Sequence, residues 1–158
     1  MSHNIEGEKI LNNSCFNLQF RRDIKHNRIN QPTYYRWKVQ FILLEEIELL
    51  NKISNIFGCG KIYVNKSQPR FVVQNIDNLY NIVVPFFKDY QLSGEKRKKD
   101  FSLWAEAVGI IYKNKRKNLK NWKRKDIQRI IEIHKEMQRY KLRPREAKWL
   151  YVAELMRG

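Results

Sequence analysis

The sequence is poor in cysteine and in long apolar runs, and each shortage excludes a class of protein. Two cysteines, Cys15 and Cys59, are too few for a disulfide-stapled secreted domain or a zinc site. We therefore expect both to be buried small hydrophobes in a reducing compartment. No apolar run approaches the roughly 20 residues that a membrane-spanning helix needs, and the polar residues 1–9 do not resemble a secretory signal.

Acidic residues are also scarce. The chain has 16 Asp and Glu against 32 Lys and Arg, which gives a net charge of +16 and a pI near 10.0. A field of this sign attracts polyanions, and nucleic acid is the commonest polyanion. Apolar residues make up 42% of the 158 residues, so we expect one domain with a real core, extended by a helical appendage.

Two stretches alternate between apolar and polar residues, with Ile42 as the exception at the end of the second stretch. Residues 15–21 and 35–42 each bury every second side chain, which predicts two strands in an antiparallel hairpin. The exposed side chains between the apolar ones are amides and cations, and Arg, Asn and Gln are the side chains that read base edges. The candidate nucleic-acid-binding residues on these strands are Asn17, Gln19, Arg21, Arg36, Lys38 and Gln40.

In the centre of the chain, turn-forming residues separate the predicted helices and strands. Residues 45–57 have helical spacing and end at Gly58, a suitable helix-terminating glycine. Residues 61–65 and 70–74 predict two short strands, and residues 75–87 a helix that Pro85 should kink or end. The exposed residues that extend the basic face here are Lys61, Tyr63 and Arg70.

The C-terminal part is strongly basic. Residues 93–99 predict a basic loop, residues 101–112 an amphipathic helix, and residues 113–125 hold eight basic residues without an acid. Such a run is either a solvated surface or a segment that follows phosphates. Two more amphipathic helices are expected, one with His134 at the edge of the core and one with Pro144 in its first turn. The candidate nucleic-acid-binding residues in this part are Lys96, Lys98, Lys113, Lys115, Arg116, Lys117, Lys120, Trp122, Lys123, Arg124 and Lys125.

Several of these segments, in order, resemble single-motif LAGLIDADG homing endonucleases of organellar introns. The similar blocks are residues 15–18, 57–63, 73–76, 81–87 and 100–101, so the resemblance covers about residues 10–112. It implies an α+β fold, an αββαββα saddle whose four-stranded antiparallel sheet straddles the DNA major groove. Residues 1–112 would form this domain, and residues 113–158 a basic helical C-terminal extension.

The resemblance fails at the catalytic motif. It implies a metal-binding Asp or Glu at the position of Asn13, and small packing residues where the chain has residues 6–9, Glu-Gly-Glu-Lys. Asn is a poor ligand for Mg²⁺, so we predict no catalytic residue, metal or cofactor. An insertion of about five residues would instead let Glu8 supply the acid.

We therefore expect a non-catalytic LAGLIDADG-fold protein that prefers RNA over DNA. It would serve as a mitochondrial ribosomal protein that binds rRNA or as an intron-splicing maturase, with neighbouring proteins held through the C-terminal helices. The chloroplast is the alternative compartment. The alternative functions are an active homodimeric homing endonuclease that cleaves double-stranded DNA with Mg²⁺, and a DNA-binding regulator without cleavage.

Overall fold

The centre of the fold is a four-stranded antiparallel sheet, seen in a computed structural model that describes residues 13–23, 34–65, 68–90 and 92–139. Its strands are β1 (Ser14–Asp23), β2 (Tyr34–Leu44), β3 (Lys61–Tyr63) and β4 (Arg70–Val73), in the order β1-β2-β4-β3. The helices are α1 (Ile47–Phe57), α2 (Ile76–Asn78), α3 (Val84–Asp89), α4 (Glu95–Lys113) and α5 (Arg124–Arg139). A π-helical turn (Leu79–Val83) joins α2 to α3, and a 3-10 turn (Leu119–Asn121) precedes α5.

The hairpin of β1 and β2 confirms the alternation seen in the sequence. Ser14 pairs with Leu43 at one end of the ribbon and Asp23 with Tyr34 at the other. Because successive strand residues point to opposite faces, Phe16, Leu18 and Phe20 of β1 lie on the same side as Trp37, Val39, Phe41 and Leu43 of β2. That side is buried by the helices, and the other side is open.

The turn between α1 and β3 depends on two glycines. Gly58 ends α1 in the left-handed conformation (φ 66°), with its N–H donating to the carbonyl of Ser54 at 2.8 Å. Gly60 also has a positive φ, 94°, and a Cβ there would lie only 2.5 Å from a ring carbon of Phe71. Glycine therefore lets β3 start directly against β4.

The helical segment after β4 begins as predicted and continues through Pro85. Asn75 caps it by accepting a hydrogen bond from the Asn78 N–H at 3.1 Å. The helix does not end at Pro85, which lies in the first turn of α3. Proline cannot donate to the preceding turn, and the π-helical turn Leu79–Val83 comes directly before α3.

The basic loop predicted over residues 93–99 is wrong, because α4 already begins at Glu95. Gly94 (φ 91°) takes the position before the helix, and Glu95 sits in its first turn, where a carboxylate is favourable. Lys and Arg are good helix formers, so the basic residues that suggested a loop are compatible with the helix.

The core joins the sheet to α4 and α5. The Phe16 ring contacts the rings of Phe87 and Trp104 at centroid distances of 5.2 and 4.9 Å. The Trp104 indole N–H also donates to the carbonyl of Asn17 at 3.1 Å, which satisfies an acceptor on edge strand β1. His134 of α5 is buried, 3% exposed, with its ring 5.8 Å from that of Trp37.

Residues after position 112, including Leu119 and Ile127, belong to the same core as residues before it. The division of the chain at residue 112 stays a prediction. In the part of the chain that the structure describes, no helix is both long and apolar enough to cross a membrane. The predicted first helix and the predicted helix at Pro144 lie outside the described residues.

Candidate nucleic-acid interface

The open face of the hairpin brings together the six strand residues predicted to bind nucleic acid. All six are partly or fully exposed, while the residues between them are buried. They lie in direct cross-strand pairs, so their side chains are neighbours on one surface. The pairs are Asn17 with Gln40, Gln19 with Lys38, and Arg21 with Arg36.

Strands β3 and β4 extend this surface. Lys61, Tyr63 and Arg70 are exposed, Tyr63 pairs with Arg70, and the Arg70 guanidinium lies 5.1 Å from the Tyr63 ring centroid. Gln40 donates from Nε2 to Oε1 of Gln74 at 3.0 Å. Gln74 was not among the predicted site residues, although it follows Arg70 at an even spacing along the predicted strand.

We call the surface formed by these ten residues the outer face. It contains no acidic residue at positions 15–21, 36–44, 61–63 or 70–74. Since its ten members are cations, amides and one tyrosine, the outer face is suited to an anionic ligand. Its members are Asn17, Gln19, Arg21, Arg36, Lys38, Gln40, Lys61, Tyr63, Arg70 and Gln74.

The same side of the sheet also carries apolar residues near the start of β1. Cys15 is exposed there and pairs with Ile42, so the expectation that Cys15 is buried is wrong. The alternation explains this, because Cys15 shares its face with Asn17. Cys59 is partly buried, and burial raises the pKa of its thiol.

The basic segment 113–125 does not join the outer face. Its first residue, Lys113, ends α4 and donates to Oδ1 of Asp126 at 3.0 Å. Asn114, which is 2% exposed, donates to Oδ2 of Asp126 at 3.3 Å and to the carbonyl of Ile110 at 2.9 Å. Burial raises the pKa of the Asp126 carboxyl, but the hydrogen bonds from Lys113 and Asn114 and nearby positive charge lower it overall.

A second set of contacts holds the segment against α2, in the helical layer. Lys115 forms an ion pair with Asp77, and its ammonium lies 4.4 Å from the ring centroid of Tyr112. The Tyr112 ring stacks on that of Tyr80 at 3.9 Å. Lys96 and Lys98 are exposed in the first turns of α4, apart from this segment in the chain.

The remaining predicted residues are spread over the turn and the start of α5. Arg116 and Lys117 lie in the turn after α4, Lys120 in the 3-10 turn, and Lys123 just before α5; all are exposed. Trp122 is only partly exposed, since it packs against the core. Arg124 and Lys125 begin α5 and are exposed.

The position that should hold the metal-binding acid carries an amide. Asn13 Nδ2 donates to Glu45 Oε2, at the end of the sheet where β1 begins. Among the described residues no three His, Cys, Asp or Glu side chains come together as metal ligands do. Asn13 therefore offers no carboxylate to a divalent metal, and Glu8 lies outside the described residues.

Comparison with known sequences places the chain in a family. The profile described as "LAGLIDADG endonuclease" matches residues 12–108. The chain is 30% identical over 86 residues to "Probable intron-encoded DNA endonuclease 1" of Mycosarcoma maydis, covering 54% of this chain and 31% of that protein. It is 34% identical over 94 residues to "Probable intron-encoded endonuclease 3" of Neurospora crassa, covering 56% and 17%. The chain thus spans about a third or less of the length of these relatives.

Solved structures share the fold. The archaeal intron-encoded homing endonuclease I-Vdi141I, complexed with DNA, superposes with a TM-score of 0.74 at 15% identity, covering 99% of this chain and 96% of that chain. I-SmaMI bound to uncleaved DNA superposes with a TM-score of 0.71 at 16% identity, but this chain covers only 46% of it. Because the profile matches well over half of the 158 residues, the chain belongs to the LAGLIDADG endonuclease family.

Proposed function

We propose that the protein binds double-stranded DNA across the outer face of its sheet, as the DNA-binding unit of an intron-encoded endonuclease. The observation that carries this proposal is the pairing of amides and cations across β1 and β2, without an acid among them. A two-stranded ribbon fits the major groove of B-DNA, which is about 12 Å wide.

The chemistry of the outer face suits sequence reading as well as charge neutralisation. Arg and Lys bind guanine at O6 and N7, and Asn and Gln bind adenine at N6 and N7. Asn17 and Gln40 offer amides, while Arg21 and Arg36 offer guanidinium groups at the far end of the same ribbon. The outer face therefore carries side chains that can recognise guanine and side chains that can recognise adenine, beside cations that can bind phosphates.

DNA is a better supported ligand than RNA. The Mycosarcoma relative is named a DNA endonuclease, and the I-Vdi141I structure contains DNA. A strand ribbon cannot read the deep, narrow major groove of an RNA duplex. No described residue favours the ribosomal or splicing role predicted from the sequence, so the endonuclease alternative replaces it. The intron-encoded names of the relatives support an organellar location, which remains part of this proposal.

Cleavage of the bound DNA is the second candidate function, and the relatives' names favour it. The described residues do not supply the acid, so cleavage would depend on Glu8 or on a second copy of the fold. The chain matches nearly all of I-Vdi141I but about half of I-SmaMI, which shows that the fold occurs both as a separate chain and as part of a longer one.

The binding proposal is tested by removing charge from the outer face. Fluorescence anisotropy with a labelled random 30-base-pair DNA duplex compares the parent with the triple variant Arg21→Gln, Lys61→Gln and Arg70→Gln. The matched control removes the same charge from exposed helix positions, as Lys52→Gln, Lys88→Gln and Lys135→Gln. We expect the outer-face variant alone to lose most of its affinity. Equal affinities of the two variants would overturn the proposal.

Cleavage is tested separately on duplexes selected from a random pool by binding. Incubation with Mg²⁺ should give double-strand breaks in the parent and none in Glu8→Gln, with binding unchanged. A parent that binds its selected duplex and leaves it intact would remove the second candidate and leave the first.

A further inference from the structure

The basic segment is a folded turn built into the helical layer. Leu119 is buried within the core, and the Trp122 indole N–H donates to the carbonyl of Lys117 at 3.4 Å. The match to the family profile ends at residue 108, so this turn lies beyond it. The match to the profile therefore does not account for the charges of this turn.

The structure divides the eight basic residues into two groups. Lys113 and Lys115 are held by Asp126 and Asp77, so their charges are largely neutralised within the protein. The other six are exposed and form no ion pair with a carboxylate of the described residues. We call these six the basic turn: Arg116, Lys117, Lys120, Lys123, Arg124 and Lys125.

The two paired lysines fix the basic turn in place at both ends. Asp126 joins the end of α4 to the first turn of α5 through Lys113 and Asn114. Lys115 joins the start of the turn to α2 through Asp77. Holding like charges close together costs electrostatic free energy, and an anionic ligand relieves that cost. Because the turn is already ordered, binding loses less conformational entropy than it would for a flexible tail.

The chemistry of the turn favours phosphate over bases. Trp122 is the one aromatic residue among these cations, but its ring packs against the core and its N–H is already bonded. A stacking surface for unpaired bases, which single-stranded nucleic acid uses, is therefore missing from this described part of the chain. Lysine is a point charge that suits phosphate oxygens without selecting a base.

We infer that the basic turn is a second DNA-binding surface, which holds phosphates of the same duplex outside the part that the outer face contacts. It binds duplex DNA independently of sequence. This inference rests on the proposed function of the outer face, since that face determines which polyanion is brought to the protein.

The experiment measures how affinity depends on salt. Each phosphate contact contributes about −0.9 to the slope of log K against log salt concentration. The variant Lys117→Gln, Lys120→Gln and Lys123→Gln should reduce the magnitude of this negative slope by about 2 to 3 on any DNA duplex. The control variant with Lys52, Lys88 and Lys135 changed to Gln should keep the parent slope. Thermal unfolding of each variant checks that it is folded.

The same titrations separate this inference from the proposed function. An unchanged slope for the basic-turn variant, together with weakened binding by the Arg21, Lys61 and Arg70 variant, overturns the inference alone. If the outer-face variant binds as the parent does, the proposed function fails instead. A loss of slope seen with duplex RNA but absent with DNA would also overturn the inference, because it would assign the turn to RNA.

Discussion

Gln40 and Gln74 are joined by a hydrogen bond across the outer face, from Gln40 Nε2 to Gln74 Oε1 at 3.0 Å. This bond leaves the Oε1 atom of Gln40 and one of its two N–H groups without a role in the pair. These are the acceptor and the donor that a glutamine needs to bind adenine at N6 and N7. Gln74 therefore orients Gln40 and leaves available the acceptor and the donor with which Gln40 would bind adenine.

We predict that Gln40→Ala removes a preference for adenine at one base pair. A bidentate contact of this kind is worth about 1–3 kcal/mol of discrimination. Selection from a random duplex pool, followed by competition binding, measures the loss. Gln128→Ala, on the exposed side of α5, is the matched control and should leave the preference unchanged.

The partner residue gives a second check on the same prediction. Gln74→Ala should weaken the adenine preference by less than Gln40→Ala, and the double variant should be no worse than Gln40→Ala alone. Independent, additive effects of the two substitutions would show that Gln74 contacts DNA by itself and does not act through Gln40.

The sequence predicts the sheet well because alternation is a local property. Phe16 and Phe41 are correctly placed in the core, and Asn17 and Gln40 on the outer face, since a period of two leaves only one assignment of faces. Cys15 follows the same rule and is exposed. Its burial was predicted because cysteine is usually buried, although its position in the strand places it on the same face as Asn17.

The pairing of basic residues is not local, and sequence reasoning missed it. Lys115 forms an ion pair with Asp77, which lies 38 residues away in the sequence, and Lys113 forms one with Asp126 on the far side of the turn. Only the packing of α4 against α2 and α5 brings these acids close. A run of eight cations therefore looked uniform in the sequence, although the fold uses two of them internally. Of the two effects predicted for Pro85, an end of the helix is excluded, because a π-helical turn can precede a proline without ending the helix.

The contact between Asn13 and Glu45 predicts what a restored acid would do. Asn13→Asp places a second carboxylate beside Glu45. Two charges about 4 Å apart in water repel by about 1 kcal/mol, so this variant should unfold at a lower temperature than the parent at pH 7.5. Millimolar Mg²⁺ should restore much of the loss, because a cation between the carboxylates removes the repulsion.

The pH dependence and a neutral control make this prediction specific. Repulsion raises the pKa of one carboxyl in the folded variant. The loss of stability should therefore appear only as the pH rises above the pKa of that carboxyl in the unfolded chain, which is about 4. Asn13→Ala loses the hydrogen bond without adding charge and should not respond to Mg²⁺. A response of equal size in both variants would contradict a metal site at residue 13.

The glycines of the chain should differ sharply in their tolerance of alanine. Gly60→Ala combines an unfavourable backbone conformation with a Cβ 2.5 Å from the Phe71 ring, so it should cost roughly 2–5 kcal/mol. Gly58→Ala has the strain of a positive φ but open space around it, and should cost about 1–2 kcal/mol. Gly109→Ala lies inside α4 with nothing within 4 Å and should stabilise by about 0.5–1 kcal/mol. Chemical denaturation gives all three values, and a Gly60→Ala variant as stable as Gly58→Ala would contradict the close approach of β3 to β4.

Asp126 should contribute to stability in a pH-dependent way. It is 5% exposed and accepts hydrogen bonds from Lys113 and Asn114. Its pKa is lowered in the folded protein, so its contribution is present above the unfolded value of 3.8 and is lost as the pH falls through the lower folded value. Asp126→Asn removes the charge and should cost about 1–3 kcal/mol at pH 7, since hydrogen bonds to charged groups are worth about that much.

The measurement is the free energy of unfolding of the parent and of Asp126→Asn between pH 3 and pH 8. The difference between them should be constant above about pH 5 and should shrink below about pH 4, because protonation then removes the parent's charge as well. Asp77→Asn is the matched control. Asp77 is half-exposed, and its ion pair with Lys115 is screened by water, so this change should cost less than about 1 kcal/mol. If the two substitutions cost the same, the buried position of Asp126 would not matter, and the basic turn would have to be held by its apolar anchor Leu119 instead.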